Sequence, residues 1–337
     1  MLNFDVPRFL AIQTGAIGLA AAIDEVIGEG LSQGADSIFF IGSGGAGILM
    51  EPANSLLRTR SRFPTFCERA AEIVLTGHPS LTDKSIVIIP SLSGRTKESI
   101  KLLEYANTRG ATTISLVGEK DTPIANASRH CFVNFAADDT SCESFYLQSL
   151  CVVLSILRHR GETTDYERIV KELGMLPALL VGVKKAFEPS AGAFAQGIAD
   201  SAYHIISGAG ATYPEAYYYG MCILEEMQWI LTRPVHASDF FHGTLELLEK
   251  GVSVMLFKGE DASRPLVDRA ENFARTYTDK LLILDTAEFK LPGISDDVRA
   301  LISQVLLATV LERISAHLEV IRNHPLTTRR YYKRVAY

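Results

Sequence analysis

Two adjacent carboxylates in the second half of the chain have the chemical character of proton-transfer groups. Glu225 and Glu226 lie in a predicted helix whose other residues are mostly apolar. A carboxylate held among apolar side chains has a raised pKa, which suits proton transfer near neutral pH. Neighbouring helix residues point about 100° apart, so only one of the two is expected to face a site. His236 and His242 follow, although surface carboxylates and buried core histidines are also compatible with this pattern.

A second stretch, residues 86–99, has the composition of a phosphate-binding loop. It begins with four β-branched apolar residues, which is typical of a strand buried on both faces, and it ends in a helical pattern. Ser91, Ser93, Gly94 and Thr96 lie between the two. A helix N-terminus presents unpaired N–H groups that suit an anion, and hydroxyls add further donors. The alternative is an ordinary helix cap, for which one hydroxyl is sufficient.

A glycine-rich turn follows an earlier predicted strand. Gly42, Gly44 and Gly47 match the pattern G-x-G-x-x-G, and Glu68 lies at a distance suited to a ribose-binding acid. This pattern admits a nicotinamide dinucleotide, but close packing of a helix on a strand also produces it. The later hydroxyl-rich loop is not part of the dinucleotide fingerprint. The two loops together favour a mononucleotide or a sugar phosphate that both would contact.

The elements around these loops alternate between strand and helix. Strands are predicted in the first half at residues 37–41, 63–67, 86–89, 112–117 and 131–133. Helical patterns separate them, and this alternation predicts an α/β fold with a doubly wound parallel sheet.

The second half repeats the same pattern, which indicates an internal duplication. Strands are predicted at residues 203–206, 252–257 and 281–284, with a helix over residues 214–231. In this copy, the strand that matches residues 86–89 ends in a loop with Glu260 and Asp261. Two carboxylates would repel a phosphate, so only the first half is expected to bind one.

The predicted organisation has five parts. They are an N-terminal helix at 1–35, a phosphate-binding subdomain at 36–160, a helical connection at 161–195, a catalytic subdomain at 196–320 and a tail at 321–337.

Composition excludes several classes of protein. The chain has 33 basic and 39 acidic residues among 337, so it lacks the basic excess of a nucleic-acid binder. Its five cysteines are widely spaced and offer no metal-ligand pattern. No signal peptide is apparent, and no apolar run approaches the roughly 20 residues of a membrane span. We therefore expect a cytoplasmic protein without a metal and without membrane or nucleic-acid partners.

The chain resembles the sugar isomerase (SIS) family of two-domain phosphosugar proteins over nearly its full length. The resemblance rests on the hydroxyl-rich loop at residues 91–96, the glycine turn from Ser43, and Glu226 with His242 sixteen residues later. Within that family, residues 226–229, residues 240–243 and the tail at residues 324–331 resemble the fructosamine 6-phosphate deglycases. Those enzymes split phosphorylated Amadori compounds of the fructoselysine, glucoselysine or fructose-aspartate type. The resemblance implies two tandem SIS-type α/β subdomains.

The resemblance also implies roles for individual residues. Ser91, Ser93 and Thr96 would hold the sugar phosphate, together with the turn residues Gly44 and Gly45. Glu226 would move a proton between C1 and C2 of the sugar.

The same resemblance implies the assembly and the cofactor requirement. His242 would assist ring opening from the neighbouring subunit, which implies a homodimer or a dimer of dimers with the site at the interface. No cofactor is implied.

The chain departs from the family pattern at two informative positions. Ala46 replaces a serine of the glycine turn, which removes one sugar contact. Arg330 stands where glucosamine-forming isomerases have a ring-opening lysine, and Lys333 is off register. A guanidinium forms no Schiff base at neutral pH. Arg330 is instead expected near the site, against a carboxylate or phosphate.

Two other functions and one further contact stay open at this point. The first alternative is a phosphosugar aldose–ketose isomerase or glucosamine 6-phosphate deaminase, which Arg330 disfavours. The second is a non-catalytic sugar-phosphate-binding regulator. Asp138 and Asp139 are candidates for binding a substrate ammonium group, although they also suit the start of a helix.

Overall fold

The computed structural model describes residues 1–136, 142–332 and 334–336. The chain forms two compact units. The N-unit comprises residues 6–178 and 293–298, and the C-unit comprises residues 1–5, 179–292 and 299–337. Each contains one parallel sheet, of five strands in the N-unit and four in the C-unit. The predicted α/β fold with two parallel sheets is thus confirmed.

The strands of the N-unit sheet are all parallel, but the side on which each new strand is added changes once. Its strands are β1 (Ser37–Gly42), β2 (Thr65–Arg69), β3 (Ser85–Ser91), β4 (Thr112–Val117) and β5 (His130–Val133), in the order β2-β1-β3-β4-β5. Every residue of β1 and β3 is buried, as the apolar runs predict for strands covered on both faces. The chain passes from β1 to β2 on one side and from β3 to β4 on the other. The loops after β1 and β3 therefore start side by side at the same edge of the sheet.

Nine helices of the N-unit cover this sheet within the described residues. They are α1 (Val6–Gly18), α2 (Ala20–Ser32), α3 (Gly44–Ile48), α4 (Glu51–Arg60), α5 (Ala70–Thr76), α6 (Lys97–Thr108), α7 (Pro123–Ala127), α8 (Glu143–His159) and α9 (Tyr166–Leu173). The single helix predicted at the N-terminus is in fact two, which meet at Leu19. Gly18 precedes the break, and glycine is a poor helix former.

The N-terminal helices are unusually apolar. Residues 6–32 are long and apolar enough to cross a membrane by length and composition alone. Both α1 and α2, however, pack against α8, whose residues from Glu143 to Leu157 are all buried. Core helices of this kind have the same length and composition as a membrane span.

The C-unit repeats the strand order of the N-unit. Its strands are β6 (Tyr203–Gly208), β7 (Leu231–His236), β8 (Ser253–Lys258) and β9 (Lys280–Asp285), in the order β7-β6-β8-β9. Its helical elements are α10 (Leu176–Ala199), α11 (Thr212–Tyr218), a π-helix (Tyr219–Glu225), α12 (Glu226–Gln228), α13 (Arg264–Tyr277), α14 (Asp296–Leu301), α15 (Ser303–Ile321) and 3-10 turns at Asp239–His242, Thr244–Leu247 and Thr286–Glu288. Both α10 and α14 begin in the N-unit and end in the C-unit.

One predicted helix is wrong at its C-terminal end. The helix predicted over residues 214–231 stops at Gln228, because Trp229 adopts a left-handed conformation with φ 57° and ψ 34°. Strand β7 then follows, and the sequence did not predict it. β7 contains Arg233 and Pro234 and lies at the edge of its sheet, where a proline, which cannot donate to a ladder, is readily tolerated. The apolar periodicity that continues to Leu231 therefore belongs to an exposed edge strand.

A buried ionic cluster stabilises the C-unit. Lys184 and Arg313 are fully buried, and Glu312 accepts hydrogen bonds from both, at 2.9 Å from Lys184 Nζ and 2.5 Å from Arg313 Nη2. Glu188 lies 3.4 Å from Arg313 Nη1, and the ring of Phe4 faces both cations. Burial alone would raise the pKa of Glu312, but the two cations lower it. The carboxylate is therefore ionised in the folded protein.

Replacing Glu312 with Gln is expected to lower the free energy of unfolding by about 3–5 kcal/mol, since it leaves buried cations uncompensated. Urea denaturation at neutral pH measures this loss, and the exposed Glu249→Gln is the control, with a change of about 0.5 kcal/mol or less. Because the folded pKa of Glu312 is lowered, its contribution is present above the unfolded pKa and disappears as the pH falls through the folded one. A loss as small as that of the control would contradict this role.

Candidate active site

The two polar loops of the N-unit meet at the point where its strand order reverses. Strands β1 and β3 are parallel neighbours, and the glycine turn and the hydroxyl-rich loop follow their carboxyl ends. The hydroxyl of Ser43 in the glycine turn lies 3.4 Å from the hydroxyl of Ser99 in the first turn of α6. In open α/β sheets, ligands bind in the crevice outside the carboxyl ends of the strands at such a switch point.

The hydroxyls of the loop after β3 are not used to cap helix α6. Thr96 occupies the N-cap position, yet its side chain makes no capping hydrogen bond among the described residues. Ser91 Oγ is buried and has no hydrogen-bond partner within the same part of the chain. Ser93 Oγ accepts a hydrogen bond from the Arg95 amide at 3.3 Å and is half-buried. An ordinary cap would consume at least one hydroxyl, so this geometry favours an anion site.

The glycines of the two loops serve different purposes. A Cβ on Gly42 would lie 2.6 Å from Gly47 Cα, so this pair is required for close packing of α3 on β1. That packing accounts for two glycines of the G-x-G-x-x-G pattern without a dinucleotide. Gly94, at φ 60°, is required because a Cβ would lie 2.1 Å from Thr122 Oγ1. Gly44, at φ 55°, has open space at its Cβ position, and Gly45 is half-buried beside it.

The equivalent turn of the C-unit is filled by the protein itself. Gly210 has the same positive φ as Gly44, at 54°, but a Cβ there would lie 2.5 Å from Asp261 Oδ2. That carboxylate accepts a hydrogen bond from the Ala211 amide at 3.1 Å. Glu260 is also engaged, in a two-point ion pair with Arg299 at 2.6 and 2.8 Å. An anion would meet a carboxylate at this turn, in keeping with the prediction that only the first half binds phosphate.

Glu225 and Glu226 differ in their surroundings, as adjacent helix residues should. Glu225 is exposed and accepts a hydrogen bond from Thr232 Oγ1 at 2.5 Å. Glu226 is half-buried, and its Oε1 lies 2.9 Å from Arg329 Nε. A guanidinium at this distance favours the ionised carboxylate, which is the form that accepts a proton. The π-helix Tyr219–Glu225 ends immediately before Glu226, and such segments occur frequently at functional sites.

The C-terminal tail contacts the helix end that carries Glu226. The expected residue Arg330 places its guanidinium 3.9 Å from the ring centre of Trp229, and Arg329 is the arginine that pairs with Glu226. The sequence did not single out Arg329, since an irregular tail has no periodicity that distinguishes two adjacent arginines. Lys333, Asp138 and Asp139 lie outside the described residues.

The two candidate histidines have different environments. His236 Nδ1 lies 2.7 Å from Ser238 Oγ, and its ring contacts Tyr213 edge-on at 5.1 Å. His242 ends a 3-10 turn and is exposed. Among the residues that the structure describes, His242 makes no hydrogen bond or ion pair with Glu226. The chain thus does not bring this predicted pair into contact within one subunit.

Neither metal chemistry nor thiol chemistry has a built site in the described residues. They contain no group of three or more His, Cys, Asp or Glu side chains that could hold a metal ion. None of the five cysteines forms a disulfide bond. Burial raises the pKa of Cys67 and of Cys151 to about 12, so both thiols are protonated and unreactive at neutral pH.

Comparison with known proteins places the chain in a family. The SIS domain matches residues 33–158. Fructosamine deglycase FrlB of Bacillus subtilis is 31% identical over 304 residues, covering 90% of this chain and 93% of that protein. Fructoselysine 6-phosphate deglycase of Escherichia coli is 26% identical, covering 92% and 89%. A Bacillus subtilis crystal structure of the phosphosugar isomerase type superposes with a TM-score of 0.85 at 30% identity, covering 90% and 93% of the two chains. The chain therefore belongs to the SIS domain family.

Proposed function

We propose that this protein is a deglycase that cleaves a phosphorylated Amadori-type sugar–amino acid conjugate. The products are a sugar phosphate of the glucose 6-phosphate type and a free amino acid. The observation that carries this proposal is the 31% identity with a fructosamine deglycase over 90% of the chain. The unused hydroxyls at the switch point and the ionised Glu226 supply the two parts that such a reaction needs, namely an anion site and a base.

The phosphate end of the substrate binds to the loops of the N-unit. Ser91, Ser93 and Thr96 donate hydrogen bonds from their hydroxyls to phosphate oxygens. The backbone N–H groups of Gly44 and Gly45 in the glycine turn are assigned to the same anion. Two observations support this assignment. The hydroxyls of Ser91 and Thr96 are not consumed by capping, and the Cβ position of Gly44 is open.

Glu226 carries the proton in the proposed reaction. It removes a proton from C1 of the ketosamine, and the electron pair shifts to give an enaminol across C1 and C2. Protonation at C2 by the same carboxyl group then gives an imine at C1. Water adds to that imine and expels the amine, so the bond to nitrogen breaks by hydrolysis. The C2 carbonyl oxygen accepts the electron pair from C1 and is protonated in the enaminol. When C2 is protonated, the nitrogen lone pair forms the C1–N double bond and the nitrogen loses its proton, so no further electron sink is required.

His242 acts in this scheme from a neighbouring subunit, where it assists opening of the sugar ring. Its side chain is exposed on the single chain and is therefore accessible to a neighbouring subunit. The proposal therefore includes a homodimer or a dimer of dimers, with a site to which two subunits contribute. A soluble enzyme of the cytoplasm accords with the naming of its relatives as metabolic deglycases.

A panel of substrates tests the proposal. The conjugates are fructoselysine 6-phosphate, glucoselysine 6-phosphate and fructose-aspartate 6-phosphate, compared with glucosamine 6-phosphate and fructose 6-phosphate. We expect at least one conjugate to yield equimolar sugar phosphate and amino acid, and the two simple sugar phosphates to stay unchanged. Turnover of only the simple sugar phosphates would indicate an isomerase or deaminase. Binding of the conjugates without turnover would indicate a regulator, and either outcome would overturn the proposal.

A further inference from the structure

The guanidinium of Arg329 is held in a fixed orientation toward Glu226. Its Nη1 donates to two backbone carbonyls of the tail, to Leu326 at 2.6 Å and to Thr328 at 3.0 Å. This leaves the Nε edge directed at Glu226 Oε1, 2.9 Å away. The side chains of Arg329 and Glu226 are only 14% and 29% exposed, so water screens the pair weakly. A charge held in this way acts on one oxygen of one carboxylate.

The tail that carries Arg329 is itself bound to the residues immediately after Glu226. Gln228 Nε2 donates to the carbonyl of His324 at 2.7 Å, and Arg322 donates to the carbonyl of Gln228 at 3.1 Å. The imidazole of His324 meets the indole of Trp229 edge-on at 4.5 Å, and Arg330 covers that indole at 3.9 Å. The tail therefore moves together with the end of the helix that presents Glu226.

Trp229 gives this arrangement a further constraint. A residue with a side chain rarely adopts a positive φ, and it persists there only where the surroundings over-determine it. At Trp229 those surroundings include the ring of His324 and the guanidinium of Arg330, both of which belong to the tail. The helix ends where it does because the left-handed residue brings its indole against the tail.

We propose that Arg329 is the positioning residue of Glu226, which it holds ionised and aimed in one direction before the substrate binds. The inference rests on the proposed role of Glu226 as the base. The other charged or titratable groups beside this helix end have different partners. Glu225 binds Thr232, Arg322 binds a carbonyl, and His324 and Arg330 contact Trp229. Arg329 therefore bears directly on the Glu226 carboxylate.

Replacing Arg329 with Gln tests the inference through the pH dependence of kcat/KM. Loss of the guanidinium makes Glu226 harder to ionise, so the acid limb moves to higher pH. We expect kcat/KM to fall about tenfold on the acid limb, as for a shift of about one pH unit, and about threefold or less at pH 8.5, with KM almost unchanged, since Arg329 is not assigned to the phosphate. Arg329→Lys, which keeps a charge, restores the acid limb. Arg334→Gln, an exposed arginine of the same tail, is the matched control with a wild-type profile.

A uniform loss of activity at every pH in Arg329→Gln would mean that the arginine only supports the fold, and it would overturn the inference. A second readout does not require turnover. The side-chain carboxyl carbons of ¹³C-labelled glutamates are titrated by NMR, with Glu226 assigned from its missing signal in Glu226→Gln. Its midpoint moves to higher pH in Arg329→Gln and stays near wild type in Arg329→Lys and Arg334→Gln. If the titration midpoint of Glu226 is the same in Arg329→Gln as in wild type, the inference is overturned. If the wild type does not turn over any conjugate, only the proposed function is overturned.

Discussion

Replacing Glu226 with Gln lowers kcat for the phosphorylated conjugate by about 10²- to 10⁴-fold and leaves KM nearly unchanged. Glutamine has the shape of glutamate and retains an oxygen that accepts the hydrogen bond from Arg329, so the tail contact is preserved. It cannot accept a proton, and the step between C1 and C2 is therefore lost. Steady-state release of the free amino acid measures the effect, with circular dichroism as the check on folding.

The neighbouring carboxylate provides the control for this experiment. Glu225→Gln removes the same charge one residue earlier in the chain, but Glu225 is exposed and binds Thr232. Its effect on kcat should be less than about twofold, because surface charges contribute little. Comparable losses in the two variants would contradict the assignment of the base to Glu226. An active Glu226→Gln enzyme would contradict the proton-transfer mechanism itself.

The combined replacement of Ser93 with Ala and Thr96 with Val raises KM by about 10- to 100-fold and changes kcat little. A hydrogen bond to a charged group contributes about 1.5–3 kcal/mol, so the loss of two from a phosphate weakens binding to this extent. The phosphate is held equally in the ground state and the transition state, and such uniform binding affects KM more than kcat. Initial rates over a range of substrate concentrations separate the two constants.

The matched control lies at the other end of the same helix. Thr108→Val removes a hydroxyl that is exposed and bonds to the carbonyl of Tyr105, and its KM should equal that of wild type. The unphosphorylated conjugate provides a second comparison. Because it lacks the phosphate, its KM should be similar for wild type and for the Ser93/Thr96 variant. A fall in kcat with an unchanged KM would assign these hydroxyls to the reacting centre instead of the phosphate.

The strands that the sequence predicts best are those buried on both faces. β3 and β8 show this, since their apolar runs allow only one interpretation once helices alternate with them. The sequence did not predict β7, because a strand at the edge of a sheet can be largely exposed and can contain a proline. It therefore lacks the continuous apolar run that marks a buried strand. Its residues continue the apolar periodicity of the preceding helix. That helix ends before Leu231 because Trp229 is left-handed, and the contacts of its indole with the distant tail are not visible in the local sequence.

The parts of the site that lie within one short stretch of sequence could be predicted, whereas contacts between distant residues could not. The hydroxyl-rich loop after β3 and the two adjacent carboxylates are visible in the sequence. The structure places Glu226 against a guanidinium and Glu225 against a hydroxyl. The identity of that partner was not predictable, because Arg329 follows Glu226 by about a hundred residues and lies in an irregular segment. In the C-unit, the sequence showed only that Asp261 would repel a phosphate. It did not show that this carboxylate itself occupies the glycine turn.

The sugar phosphate released from fructoselysine 6-phosphate tests the central claim most directly. Proton transfer from C1 to C2 followed by hydrolysis at C1 must give glucose 6-phosphate, whereas direct displacement of the amine from C1 would give fructose 6-phosphate. Glucose 6-phosphate dehydrogenase detects the first product immediately and the second only after phosphoglucose isomerase is added. We predict an immediate signal equal to the lysine released by the wild type, and almost none from Glu226→Gln. Lysine release with a signal only after addition of the isomerase would contradict the account.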